Sequence, residues 1–222
     1  MELTEVMRTT FSCRDFTDEP VPDAVLHRIL DVARFAPSGG NRQGQRVIVV
    51  KDPSTRRELA ELCRPTMGVY LAQVRAGESP WNTIVPTGVD VDAAAAAPSS
   101  FPLLDSLEHV PALLVVAVDL SAVASFDRHL DRIGVISGAS VYPFVWNILL
   151  AARNEGYGGV LTTFLAAREP EAQELLGLPA HVAIAAMVPI GRPVRQLTRL
   201  RRNAVEEFVT VDRFDGLPLR GD

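Results

Sequence analysis

The chain of 222 residues is 47% hydrophobic and 22% charged, enough apolar material for one good core and far from the composition of a disordered segment. A formal net charge of -5 argues against nucleic acid as the main partner, while the six arginines between Arg192 and Arg213 point to a local anion site. Two cysteines, Cys13 and Cys63, without CxxC or zinc spacing suit a reducing, cytoplasmic compartment, and Met1–Glu5 has neither the basic start nor the apolar core of a signal peptide.

Residues 22–36 form the clearest amphipathic helix: Val25, Leu26, Ile29, Leu30, Ala33 and Ala36 keep helical spacing behind Pro22 and Asp23, and Pro37 ends the run. After the turn Ser38–Asn41, the β-branched run 46–50 predicts a strand, and Asp52–Pro53–Ser54–Thr55 starts a helix expected to reach about Cys63. Residues 64–108, with five prolines and an alanine tract, show no sustained period and read as an irregular lid. Residues 113–118 predict a buried strand, 134–155 a long helix, 160–164 a short strand, 169–176 a helix ended by Gly177, and 182–189 a further strand. The tail 192–222 is polar and arginine-rich. No linker divides the chain, which reads as one α+β domain over 1–222.

The stretch 134–152 is apolar on nearly every face but carries Ser137, Ser140, Pro143 and Asn147, so it predicts a buried helix rather than a membrane span. Such a helix belongs at the centre of a dimer or in the central core of a monomer. The four histidines are isolated, and P-loop, Rossmann and nucleophile-elbow motifs are absent, so an enzymatic role implies a cofactor that carries the reactive chemistry.

Five segments carry a signal. Ala36–Gln43 (APSGGNRQ) and Gly156–Thr163 (GYGGVLTT) place glycines where backbone can approach a flat ligand, though each alone also fits a turn or a helix cap. Arg8, Arg14 and the Arg199–Arg202 group could neutralise a phosphate and a ring anion, or stand as surface charges.

Taken in order along nearly the whole chain, these segments resemble the nitroreductase family. Ser12-Cys13-Arg14-Asp15-Phe16 is similar to the family's N-terminal flavin motif, and Asp18–Pro22 before a helix also fits. Pro37, Ser38, Gly39 and Asn41 match the signature beside the isoalloxazine ring. Gly158, Gly159 and Val160 fall where family backbone amides face flavin N5 and O4, and Pro189–Pro193 with Arg199 and Arg201 matches the closing segment that holds the FMN phosphate. The chain departs from the family at Thr10 and Phe11, one of which is usually arginine; Arg8 compensates, or the phosphate rests more on Arg199 and Arg201. The Gln43–Gly44 pair resembles actinobacterial members.

The resemblance implies a central mixed β-sheet flanked by helices, an intertwined homodimer with exchanged tails, and FMN contacted by both chains. It implies NAD(P)H as co-substrate and ping-pong reduction of small electron-poor acceptors such as nitroaromatics and quinones, with no nucleic acid or membrane partner. Arg14 would sit beside N1 and O2. Flavin cleavage, reductive dehalogenation or non-catalytic flavin storage stay open as alternatives on the same cofactor.

Overall fold

The computed structural model describes residues 1–221. Its frame is a four-stranded sheet of β1 (Gln45–Val49), β2 (Ala112–Asp119), β3 (Gly158–Gly159) and β4 (Val182–Gly191), in the order β1-β2-β4-β3. All three strand pairings are antiparallel. The expected mixed sheet is therefore corrected: the parallel contact shrinks to a single bridge, Ser12 with Gly159, because the N-terminal ribbon meets the edge strand too briefly to form a ladder.

Helices cover both faces of this sheet, and β2 shows why its sequence is a continuous apolar run. Leu114, Val116 and Val118 point into one core, built with Val25, Leu26 and Ile29 of α2 (Asp23–Ala33) and Phe144, Val145 and Ile148 of α6 (Tyr142–Asn154). Leu113 and Val115 point into the other, with Leu59, Cys63 and Met67 of α3 (Pro53–Arg75) and Leu103, Leu104 and Leu107. A strand buried on both faces cannot alternate polar with apolar, whatever the direction of its neighbours. The remaining helices are short: α1 (Leu3–Thr9), α4 (Val91–Ala96), α5 (Pro102–Asp105) and α7 (Glu169–Leu176), the last closed by Gly177 in the left-handed region as its sequence predicts.

Two expectations change. The helix that starts at Pro53 does not stop near Cys63 but runs to Arg75 through Pro65, so the stretch 64–108 is irregular only in parts. Proline removes one backbone donor, but Thr66, Met67 and Val69 stay buried beyond it, and Arg64 bridges Glu61 and Asp105 across the break. Conversely, the long helix expected over 134–155 divides. A 3-10 turn, Ile136–Ser140, precedes α6, whose start at Tyr142 and Pro143 fits proline's preference for a first helical turn. Likewise the strand expected over 160–164 gives way to β3 at Gly158–Gly159, an isolated Thr162–Met187 bridge and a 3-10 turn, Phe164–Arg168.

A buried arginine ties the α3 side together. Arg56 donates from Nε to Val50 O at 2.8 Å and from Nη1 to Val110 O at 2.7 Å and Glu108 O at 3.2 Å, closing the chain ends beside β1 and β2. Burial lowers its pKa, and its charge meets carbonyl oxygens rather than a carboxylate. Replacing it with methionine strands those carbonyls, so Arg56→Met should lower unfolding stability by about 2 kcal/mol. A shifted urea midpoint at unchanged slope would show this, and an unshifted midpoint would contradict it.

Candidate functional site

The N-terminal ribbon that follows α1 lies on the sheet edge where glycines leave room for it. A Cβ on Gly158 would sit 2.9 Å from Pro193 Cγ and 3.0 Å from Cys13 Cβ, and one on Gly191 2.8 Å from Pro111 Cγ and 2.9 Å from Phe16 Cβ. Side chains at either position would push the ribbon off the sheet. Backbone hydrogen bonds then fix it: Cys13 N–H to Gly159 O (3.0 Å), Thr17 N–H to Arg192 O (2.9 Å) and Val194 N–H to Asp15 O (3.2 Å). Gln196 Nε2 donates to Thr9 O at 3.0 Å, which pulls the residues after β4 back over the end of α1.

The consequence is a cationic cavity. Met7 and Arg8 of α1 face Thr198, Arg199, Leu200 and Arg202 around about 570 Å³. No acidic side chain lines it, and Arg8, Arg199 and Arg202 form no ion pair among the described residues, whereas Arg28, Arg64 and Arg192 are each paired. Unpaired cations facing one space favour an anion. Arg201 does not line this cavity; its carbonyl accepts from Arg202 Nη1 at 2.7 Å. Sequence reasoning grouped 199–202 without ranking Arg202 as a site residue, because no regular secondary structure there predicts which side chains share a side. Thr10, where the family usually has arginine or its neighbour does, is buried and donates to Val6 O at 2.8 Å, ending α1.

Arg14 and Ser12 are exposed on the ribbon, Arg14 Nη1 donating to Ser12 O at 3.3 Å. Cys13 faces inward instead. The residue is 2% exposed, its thiol donates to Asp15 O, and burial pushes its pKa up to about 11, so it stays a neutral thiol. Its N–H is spent on Gly159, and Val160 N–H donates to Pro189 O at 3.4 Å, so these two amides are already engaged in the fold. Thr163, exposed just beyond Val160, has no hydrogen bond recorded for its hydroxyl among the described residues, a polar group that sequence reasoning passed over.

The second glycine segment is held elsewhere. Gly39 N–H donates to Ser140 Oγ at 3.2 Å, and Ser38 Oγ accepts from Gln43 N–H at 3.0 Å. Pro37, Gly39 and Asn41 are exposed, and Asn41 sits at φ 52°, in the left-handed region asparagine tolerates. No hydrogen bond joins 37–41 to 12–14 or 158–160 among the described residues. Within one chain, then, Arg8 and Arg199 line one cavity, Ser12 and Cys13 meet Gly158 and Gly159, and no hydrogen bond among the described residues ties 37–41 to either group.

Ser140 is positioned by the 3-10 turn, which Asp127 anchors. Asp127 accepts from Val135 N–H and Arg132 Nη1, each at 2.8 Å, from Ser125 Oγ at 3.2 Å and from Ile136 N–H at 3.4 Å. The bond from Val135, with its other donors, lowers its pKa from 3.8 to about 2. A depressed carboxylate stabilises the fold above its unfolded pKa, and that contribution is lost as pH falls from about 4 toward 2. Amide exchange at Val135, Ile136 and Gly39 should accelerate over that window, and Asp127→Asn should show the faster exchange already at neutral pH. Unchanged exchange in the variant would contradict the anchor.

Residues 7–192 match the sequence profile of the Nitroreductase family. The chain belongs to the nitroreductase family of flavin oxidoreductases. Within it, the chain is 27% identical over 205 residues to a Thermus thermophilus protein named NADH dehydrogenase, covering 89% of this chain and 90% of the relative. Its fold is similar to oxidised iodotyrosine deiodinase bound to FMN and 3-iodo-L-tyrosine, with TM-score 0.68 and 23% identity over 96% of this chain and 100% of that one. It is also similar to the Vibrio harveyi NADPH:FMN oxidoreductase complexed with NAD+, with TM-score 0.68 and 21% identity over 97% of this chain and 79% of that one. These relatives lend no support to the actinobacterial resemblance of Gln43–Gly44. Among the described residues no helix is long and apolar enough to cross a membrane, and no cluster of His, Cys, Asp and Glu could hold a metal.

Proposed function

We propose that this family member is an NAD(P)H-dependent FMN oxidoreductase that reduces electron-poor acceptors such as nitroaromatics and quinones and works as an intertwined homodimer. The observation that carries the reading is the convergence of Arg8, Arg199 and Arg202 on one cavity beside the ribbon. Three arginines around one cavity, with no ion pair among the described residues, fit a phosphate monoester in charge. The Thermus relative's name, the FMN in the deiodinase and the NAD+ in the Vibrio oxidoreductase support the same assignment.

FMN, when bound, supplies the hydride-accepting and hydride-donating chemistry. The chain's own residues bind and orient. Arg8, Arg199 and Arg202 neutralise the phosphate, with Thr198 as a further donor. Arg14, exposed on the ribbon with no carboxylate partner among the described residues, would supply positive charge beside a bound ring. Cys13 supports the site through its backbone contact with Gly159, its thiol being turned away. Pro37, Ser38, Gly39 and Asn41 would contribute to holding the ring from the second chain.

The dimer rests on surface. The chain exposes 13,518 Å², whereas a compact monomer of 24.1 kDa exposes about 10,000 Å². Tyr142 and Trp146 on α6 are each 41% exposed, and in the tail Phe208 is 68%, Leu217 81% and Phe214 101% exposed. The tail forms its own hairpin, with Val211 N–H to Leu217 O at 2.9 Å and Leu219 N–H to Val209 O at 3.0 Å, and this apolar hairpin is proposed to wrap the partner.

The arginine assignment is directly testable. Arg202→Ala should weaken FMN retention about tenfold or more, as befits a charged hydrogen bond of ~1.5–3 kcal/mol. Arg201→Ala should leave retention nearly unchanged. Flavin fluorescence released on dilution measures both; equal loss in the two variants would contradict the cavity as the phosphate site.

A further inference from the structure

The loop between α3 and α4 encloses a cavity of about 430 Å³ that shares no residue with the ribbon, the edge strand, the 37–41 loop or the arginine cavity. Val69, Trp81, Val85, Pro86 and Val91 make most of its wall apolar, and Gln73, Glu78, Ser79, Asn82 and Thr87 supply its polar groups, of which Glu78 alone carries charge.

Gln73 is 4% exposed and lines this cavity from α3. Its Oε1 accepts the Trp81 N–H at 3.0 Å, holding Trp81 at φ 53°. Its Nε2 has no hydrogen-bond partner, and no fully enclosed side-chain nitrogen or oxygen lacks one, among the described residues. The amide donor therefore opens onto the cavity rather than into the core. A donor that opens onto a cavity can exchange a water for an acceptor on a ligand.

Glu78 supplies the charge. Its carboxylate accepts from Thr87 Oγ1 at 2.5 Å and Gly88 N–H at 2.8 Å, which shapes the loop, yet it forms no ion pair among the described residues. Among the described residues no Lys, Arg or His lines the cavity. The site also lies at the C-terminal end of α3, the end of a helix that carries partial negative charge. Trp81 adds an indole to the wall, the aromatic surface most favourable to a cation.

We infer that this cavity is a binding site, separate from the flavin site, for a small flat organic cation that carries a hydrogen-bond acceptor for Gln73. The carboxylate and helix end select positive charge, the apolar wall and Trp81 select a flat body, and the Gln73 amide fixes its orientation. The inference does not depend on the flavin reading, since no residue is common to the two sites.

The chain has two tryptophans, so the Trp81 signal in the purified holoprotein is the difference between the unaltered protein and Trp81→Phe. The probes are 1-methylnicotinamide (a flat cation with a carbonyl acceptor), neutral nicotinamide and anionic nicotinate. Saturable quenching of Trp81 fluorescence is expected with the cation, weaker binding with the neutral compound and none with the anion. Glu78→Gln should weaken cation binding about fivefold, the equivalent of ~1 kcal/mol for a partly exposed charge. Val91→Phe, at an exposed position that narrows the cavity, should weaken it without disturbing the loop's hydrogen bonds. Quenching that never saturates, equal binding of the three compounds, or indifference to both variants would overturn the proposal. Flavin absorbance recorded in the same titration separates the two sites: a cation that perturbs the flavin but not Trp81 also overturns it.

Discussion

The site depends on the close approach of the N-terminal ribbon to the glycines at the sheet edge. Cys13 and Phe16 occupy the space that side chains on Gly158 and Gly191 would take. The ribbon is the only covalent route from α1 to α2, so this packing decides where Arg8 and Arg14 stand. The bond from Gln196 to Thr9 then brings the post-β4 chain across α1, and Arg199 and Arg202 with it. Positive charge that is scattered in the sequence becomes concentrated because two backbones can touch.

Rigid support lies behind this edge. β2 is buried on both faces and pairs with β4 along most of its length, while β4 in turn carries the two-residue edge strand. The ribbon thus rests on a short element backed by the best-packed part of the molecule. Binding surfaces need such backing, since a mobile arginine loses affinity to the entropy of ordering it. The 37–41 loop is supported independently, through Ser140 and the Asp127-anchored turn. Two halves with separate supports suit a site completed between chains.

The sequence made α2, β2, α7 and its Gly177 cap legible because each is specified locally, by periodicity or a cap residue. It was misleading where tertiary packing overrides a local rule. Pro65 looked like a stop, although the spacing of Leu59, Cys63 and Met67 continues straight through it, and that signal could have extended α3. The apolar run 134–155 looked like one helix, but Pro143 marks a beginning rather than an interior. Motif order placed the ribbon, the edge glycines and the arginine group on the page before any geometry did. It could not show that Arg202 lines the cavity while Arg201 does not, nor that no hydrogen bond among the described residues ties 37–41 to the ribbon, since both depend on how the chain is routed in space.

The central claim is that each flavin site takes its ribbon and arginines from one chain and its 37–41 loop from the other. It can be tested with two variants, one with Arg8, Arg199 and Arg202 replaced by alanine, the other Gly39→Trp, where an added Cβ meets only Ser140 Oγ at 3.5 Å. Each variant alone should bind no FMN. Co-expressed with different tags and isolated as a hybrid, the pair should regain one FMN, because one of its two sites then has both halves intact. A hybrid that binds no FMN, while the unaltered protein does, would mean that each site lies within a single chain.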